Sequence, residues 1–112
     1  MEDRKTPLAG FQKKYLRGLA HGLKPVVLVG QGGVTAQVIR ELDETLDRQE
    51  LVKIRFLSEK GREEKDALLR RIEEEAGVEA AGVIGHTAIL YRRHRDPEKR
   101  KIRLPEREEK GS

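Results

Sequence analysis

Residues 30 to 33, Gly30-Gln31-Gly32-Gly33, join the apolar run Pro25 to Val29 to a helix-like stretch that starts at Val34. Glycine lets a backbone take positive φ or come close to another group. Three glycines at a strand-to-helix junction are therefore either a tight turn or a cradle for an anion. Spacing discriminates among the known phosphate loops. A dinucleotide fingerprint needs G-x-G-x-x-G with an acid after the next strand. Thr35 stands where the third glycine should be, and Glu50 precedes the next strand instead of following it. A Walker loop needs G-K-[ST] at its end, which is absent. Nucleotide-cofactor binding is thus the second reading. The first is G-x-x-G, whose backbone N–H groups approach a nucleic-acid backbone, with the following helix turning its N-terminal N–H groups toward the same anion.

Covalent chemistry has few candidates. The chain has no cysteine, and its only serines are Ser58, in a turn-like segment, and Ser112 at the end. His21, His86 and His94 are scattered, not spaced as ligands on one element, so no metal site is expected. The carboxylates of "REEK" and "EEE" read as helix-surface residues, the commoner role. No base, orienting group and electrophile come together as catalysis requires. The expectation is a non-enzymatic protein without a cofactor.

Charge points to a partner. Of 112 residues, 24 are Lys or Arg and 20 are Asp or Glu, a net charge of +4. From Arg4 to Gly33 there are six basic residues and no acid; from Val34 to Tyr91, nine basic and thirteen acidic; from Arg92 to Lys110, nine basic and five acidic. Positive charge gathers at both ends of the chain, the footprint of a polyanion binder. Lys13, Lys14, Arg17, His21 and Lys24 lie just upstream of the glycine loop, and Arg92 and Arg93 follow the last strand-like run. The acidic middle supports a different class of function, a protein–protein adaptor.

These residues must be positioned by regular elements. Leu8, Phe11, Tyr15 and Leu19 recur at helical spacing, which predicts a helix from about Thr6-Pro7 to Gly22 with that stripe inward and Lys13, Lys14 and Arg17 away from it. Pro25 to Val29 is apolar throughout and reads as a buried strand. Val34, Val38, Leu42 and Leu46 form a second helical stripe, with Thr35 as its cap. "LVKIRFL" alternates as a strand with Val52, Ile54 and Phe56 on one face and Lys53 and Arg55 on the other. "SEKGREEK" leads into a third helix with Leu68, Leu69, Ile72 and Ala76 inside and Gly77 as its stop. Two short strands then flank Gly85-His86 as a hairpin. From His94 the chain is polar, predicted extended or disordered except near "IRLP". Tyr15 and Tyr91 could stack bases, but both sit in apolar patterns and are assigned to the core.

Parallel crossovers closed by an antiparallel hairpin make this an α/β fold, ordered α-β-α-β-α-β-β: a small two-layer sandwich with a four-stranded mixed sheet and helices mainly on one face. Residues 1–105 form the domain, and residues 106–112 are expected to be a polar, disordered tail. No signal peptide follows Met1, and no run is long enough to cross a bilayer.

"LRGLAHGLKPVVLVGQGGVT", "ELVKIRF", "GHTAILYRR" and "KIRLP", in that order, resemble the YhbY-like CRM domain, the chloroplast RNA splicing and ribosome maturation family. The resemblance runs from about Leu8 to Pro105. It implies an RNA-binding fold similar to the C-terminal domain of translation initiation factor three, with the fourth strand between the second and third. Stand-alone prokaryotic members are associated with large ribosomal subunit precursors. The family loop maps onto Gly30, Gln31, Gly32 and Gly33, and its basic first helix onto Lys13, Lys14, Arg17 and His21. At His86 relatives often carry lysine. The combined expectation is a cytoplasmic, monomeric protein that binds ribosomal RNA through the loop, the first helix with Lys24, and Arg92 and Arg93.

Overall fold

A computed structural model describes residues 7–57 and 61–106. The elements run α1 (Gly10–Ala20), β1 (Val27–Val29), α2 (Ala36–Gln49), β2 (Leu51–Phe56), α3 (Arg62–Ala76), β3 (Glu79–Ile84) and β4 (Thr87–Tyr91), then a short 3-10 helix (Pro97–Lys99). The sheet order is β1-β2-β4-β3, parallel between β1 and β2 and antiparallel elsewhere. The fourth strand therefore lies between the second and third, as the family resemblance implies. Ser58–Lys60, Thr6 and most of the expected tail lie outside the described residues.

Strand alternation divides the core in two. Val52, Ile54 and Phe56 of β2, with Val27, Val29, Ala88 and Leu90, face α2 and α3. This is the expected two-layer core. α2 presents Val38, Leu42 and Leu46 to it, and Thr35 Oγ1 accepts a hydrogen bond from the Val38 N–H at 3.2 Å. α3 contributes Leu69, Ile72 and Ala76 and stops at Gly77. The other face carries Leu51, Ile89, Tyr91 and Ala81, onto which α1 packs Leu16 and Ala20.

That packing corrects the predicted face of α1. Phe11, Tyr15 and Leu19 are 36%, 41% and 42% exposed, whereas Leu16 and Ala20 are fully buried. Beneath the helix β3 presents Ala81 and Gly82, small residues that allow close approach. A Cβ on Gly82 would sit 2.6 Å from Cδ of Arg17. The helix also starts later than predicted, at Gly10. Gln12 Oε1 accepts from the Ala9 N–H, and both Glu79 carboxylate oxygens accept from the Leu8 N–H. β1 is an edge strand, so Val26 and Leu28 are each 51% exposed and the run is not buried throughout.

The segment after β4 departs most from expectation. Glu50 closes α2 with a left-handed φ of 66° and is fully buried. Its Oε2 accepts from the His94 N–H at 2.6 Å, and its Oε1 from the Lys101 and Ile102 N–H groups at 2.7 and 2.9 Å. Three charge-assisted hydrogen bonds offset the desolvation of the carboxylate. Ile102 and Leu104 then pack against the α1-side core. His94 to Pro105 is a strap held to the domain, not a free extension. Tyr91, under this strap, is buried with its hydroxyl unpartnered. Burial first, then the nearby Glu50 charge, push its phenol from 10.0 to about 12, while Arg93 and Arg100 act the other way.

Candidate nucleic-acid interface

The glycine loop is a hydrogen-bonded turn. The Gly33 N–H donates to the Gly30 carbonyl at 3.0 Å, and Gly33 holds φ at 73°, where a side chain would be strained. Gly32 is not in that region; a Cβ there would meet only Thr35 Cγ2, at 3.6 Å. Gln31 and Gly32 are exposed at the tip. Behind them, α2 starts with no acid in its first turn, leaving the positive end of its dipole available to an outside anion. α3 differs: Glu63 and Glu64 occupy its first turn and already complement its dipole.

Backbone pairing places the other parts of the site around that end of the sheet. The Leu57 N–H donates to the Val29 carbonyl and the Phe56 N–H to the His86 carbonyl, both at 2.8 Å. The β3–β4 turn thus lies at the same end of the sheet as the loop, across the end of β2, with exposed His86 at its tip. Register aligns Leu28 with Arg55, Arg55 with Thr87, and Thr87 with Ile84. These four residues form one row across all strands on the α1 face. Leu28 and Ile84 are 51% and 64% exposed and Arg55 is also exposed, so α1 leaves this row open.

α1 lies across the opposite half of the face with two distinct flanks. Gln12 Nε2 donates to the Pro105 carbonyl, on the strap side. Arg17, five residues on and so about 140° around the helix, donates from Nη1 to the Ala81 carbonyl at 3.0 Å and lies over Gly82. Lys13, Lys14 and His21 share the Arg17 side, toward the open row, by helical spacing. Lys14 and His21 are exposed, and Lys13 is half-buried. Lys53 has a structural role: its ammonium donates to the Leu23 carbonyl at 2.9 Å and ties the α1–β1 connection to the sheet. Lys24, in that connection, is exposed. Among the described residues none of Lys13, Lys14, Lys24 or Arg55 has a carboxylate partner.

The two arginines at the end of β4 separate. Arg92 donates to the Asp43 and Asp47 carboxylates and to the Asp43 and Ala76 carbonyls, at 2.7 to 3.2 Å. Its guanidinium fastens α2 to the end of α3 and is paired with two carboxylates, a structural role the sequence did not indicate. Arg93 is exposed, but it stands at the strap end of β4, away from the loop. The structure therefore brings Gly30 to Gly33 and the Arg17 flank around one face and leaves Arg93 apart. Sequence reasoning missed Arg55 as the link between them. Its signal is the outward position in the alternating "LVKIRFL" run. Among the described residues no group of three His, Asp or Glu side chains could hold a metal ion, and no helix is long and apolar enough to cross a membrane.

A small mixed α/β sheet with a glycine loop and a cationic helix on one face defines the class, and comparison with known proteins agrees. The solution structure of the hypothetical protein SAV1595 from Staphylococcus aureus superposes with a TM-score of 0.73 at 34% identity, covering 88% of this chain and 99% of that one. The chain belongs to the CRS1/YhbY (CRM) domain family, whose model matches residues 8–92. An "RNA-binding protein" of Haemophilus influenzae is 38% identical over 100 residues, 89% of this chain and 97% of its own. "Probable RNA-binding protein YqeI" of Bacillus subtilis is 34% identical over 98 residues, 88% of this chain and 99% of its own.

Proposed function

We propose that this protein binds RNA, with ribosomal RNA in large-subunit precursors as its target, and that it assists subunit assembly as a cytoplasmic monomer. Family membership and the names of its relatives support RNA as the partner. The observation that carries the reading is the continuity of loop, open sheet row and cationic helix flank on one face. Gly30 to Gly33 receive a phosphate on backbone N–H groups at the start of α2. Arg55 and the Lys13, Lys14, Arg17 and His21 flank follow the next phosphates along the strand, with Lys24 at the edge. Affinity on this scheme is mostly electrostatic, with little base readout.

The loop supplies the direct test. Gln31→Asp combined with Gly32→Asp places two negative charges at the tip and leaves Gly30 and Gly33 to form the turn. Gly32 has room for a side chain, and acids near a helix N-terminus are tolerated or stabilising. The double variant is expected to keep its thermal midpoint and lose binding to a precursor large-subunit RNA fragment in a filter or anisotropy assay. Binding at wild-type strength by the folded variant refutes the loop's role.

A further inference from the structure

Buried Glu50 fixes the path of the chain segment that follows β4. The family model ends at residue 92, and residues 93–105 carry six Lys or Arg against Asp96 and Glu98. A fully buried carboxylate in a left-handed backbone is an expensive device, and here its three hydrogen bonds all go to backbone N–H groups of this segment. Arg100 reinforces the shape from within, donating to the His94 carbonyl at 2.8 Å. Asp96 caps the 3-10 helix through the Glu98 N–H. The side chains then sort by function. Ile102 and Leu104 turn inward, while Arg93, Arg95, Lys99, Lys101 and Arg103 are exposed. Among the described residues none of these five has a carboxylate partner.

We infer that this strap is a second RNA-phosphate surface, separate from the glycine loop, and that Glu50 is the positioning residue that makes it one. The inference rests on the RNA-binding reading above. Its place is the far end of the sheet: Glu50 immediately precedes β2, whereas the loop follows β1, which runs parallel to β2. The strap flanks the Gln12 side of α1, and exposed Tyr15, three residues on, lies on that same side by helical spacing. An exposed aromatic ring beside a line of fixed cations suits single-stranded RNA, which stacks bases on aromatic faces and lays phosphates on basic grooves. An RNA strand held by both surfaces spans the length of the sheet.

Two variants of the full chain test this with a mixed-sequence single-stranded RNA as probe. Arg95→Ala with Lys101→Ala and Arg103→Ala removes three exposed cations whose side chains have no hydrogen bond or ion pair among the described residues. The expected result is affinity weaker on the order of tenfold and a log affinity against log salt slope shallower by about 2, at about 0.7 per phosphate. Glu50→Gln gives the opposite sign for two explanations. It raises the net charge by one, so a merely diffuse positive surface binds RNA more tightly. A positioned strap binds more weakly, because the amide cannot accept from all three N–H groups, and faster hydrogen exchange at His94, Lys101 and Ile102 reports the release. If Glu50→Gln does not fold, the triple variant decides alone. A wild-type chain that binds RNA, loses it in the loop double variant, and keeps both affinity and slope in the triple variant overturns the strap and leaves the RNA-binding reading intact. A wild-type chain that binds no RNA overturns both.

Discussion

The two faces of the sheet are built to different rules. The face toward α2 and α3 is closed: its β2 side chains are Val52, Ile54 and Phe56, and two long helices cover it. The face toward α1 is half open: its β2 side chains are Leu51, Lys53 and Arg55, and one helix covers only the end near the strap. A single β-strand therefore supplies three apolar residues to a core and, between them, two cations to a surface. The first face sets stability and the second sets the shape that a partner meets. This division predicts how substitutions should sort.

The largest effect on stability belongs to the closed face. Leu42 is fully buried, and Leu42→Ala should destabilise by about 2–5 kcal/mol, read as a fall in the urea midpoint. Leu16 is equally buried but stands under a single helix that can settle toward Ala81. Leu16→Ala should cost about 2–3 kcal/mol, the lower part of the same range, and should also weaken RNA binding by loosening α1. Equal costs with undiminished RNA affinity would erase the distinction between the faces.

A smaller effect concerns pH. Tyr91 is held protonated to about 12 in the fold, against 10.0 for the free side chain. Because the folded value is the higher, its contribution to stability is complete below pH 10 and is lost as pH rises through about 12. The alkaline behaviour of the wild type and Tyr91→Phe should therefore differ: the variant should lose less stability between about pH 10 and 12, read from denaturation curves. The smallest effect is expected at Tyr15 on the outside of α1. Tyr15→Ser should change stability by about 0.5 kcal/mol or less, which would confirm that this aromatic residue serves the surface.

The same division explains what could be read in the sequence. α2 was legible because Val38, Leu42 and Leu46 form the only strong stripe on that helix, and Thr35 and the following turn agree with it. β2 was legible from its alternation, and the hairpin from Gly85-His86, which forms a two-residue turn with Gly85 at φ 61°. α1 misled because it carries two stripes. Phe11, Tyr15 and Leu19 have more hydrophobic area, but Leu16 and Ala20 fit the Ala81–Gly82 surface, and fit to a distant strand is invisible to local periodicity. Arg92 and the strap were missed for a related reason. Their partners, Asp43, Asp47 and Glu50, lie more than forty positions away. Glu50 did leave one local sign: it occupies the left-handed position after a helix where glycine is the usual residue. Within the site, the loop and the cationic helix were legible as residue types, whereas Arg55 became part of it only when the register of four strands was known.

Placing β4 between β2 and β3 also has a consequence for how the chain is made. β2 meets β3 only through β4, so both ladders of β4 wait for residues 87 to 91, and the Glu50 hydrogen bonds wait for residue 102. The β2–β4 pairing and the Glu50 hydrogen bonds join residues far apart in sequence, and such pairings slow folding, because chain closure precedes any reward in contacts. In the order of synthesis the glycine loop and the basic helix precede residues 87 to 91, so they take their places on one surface only after β4 has been made.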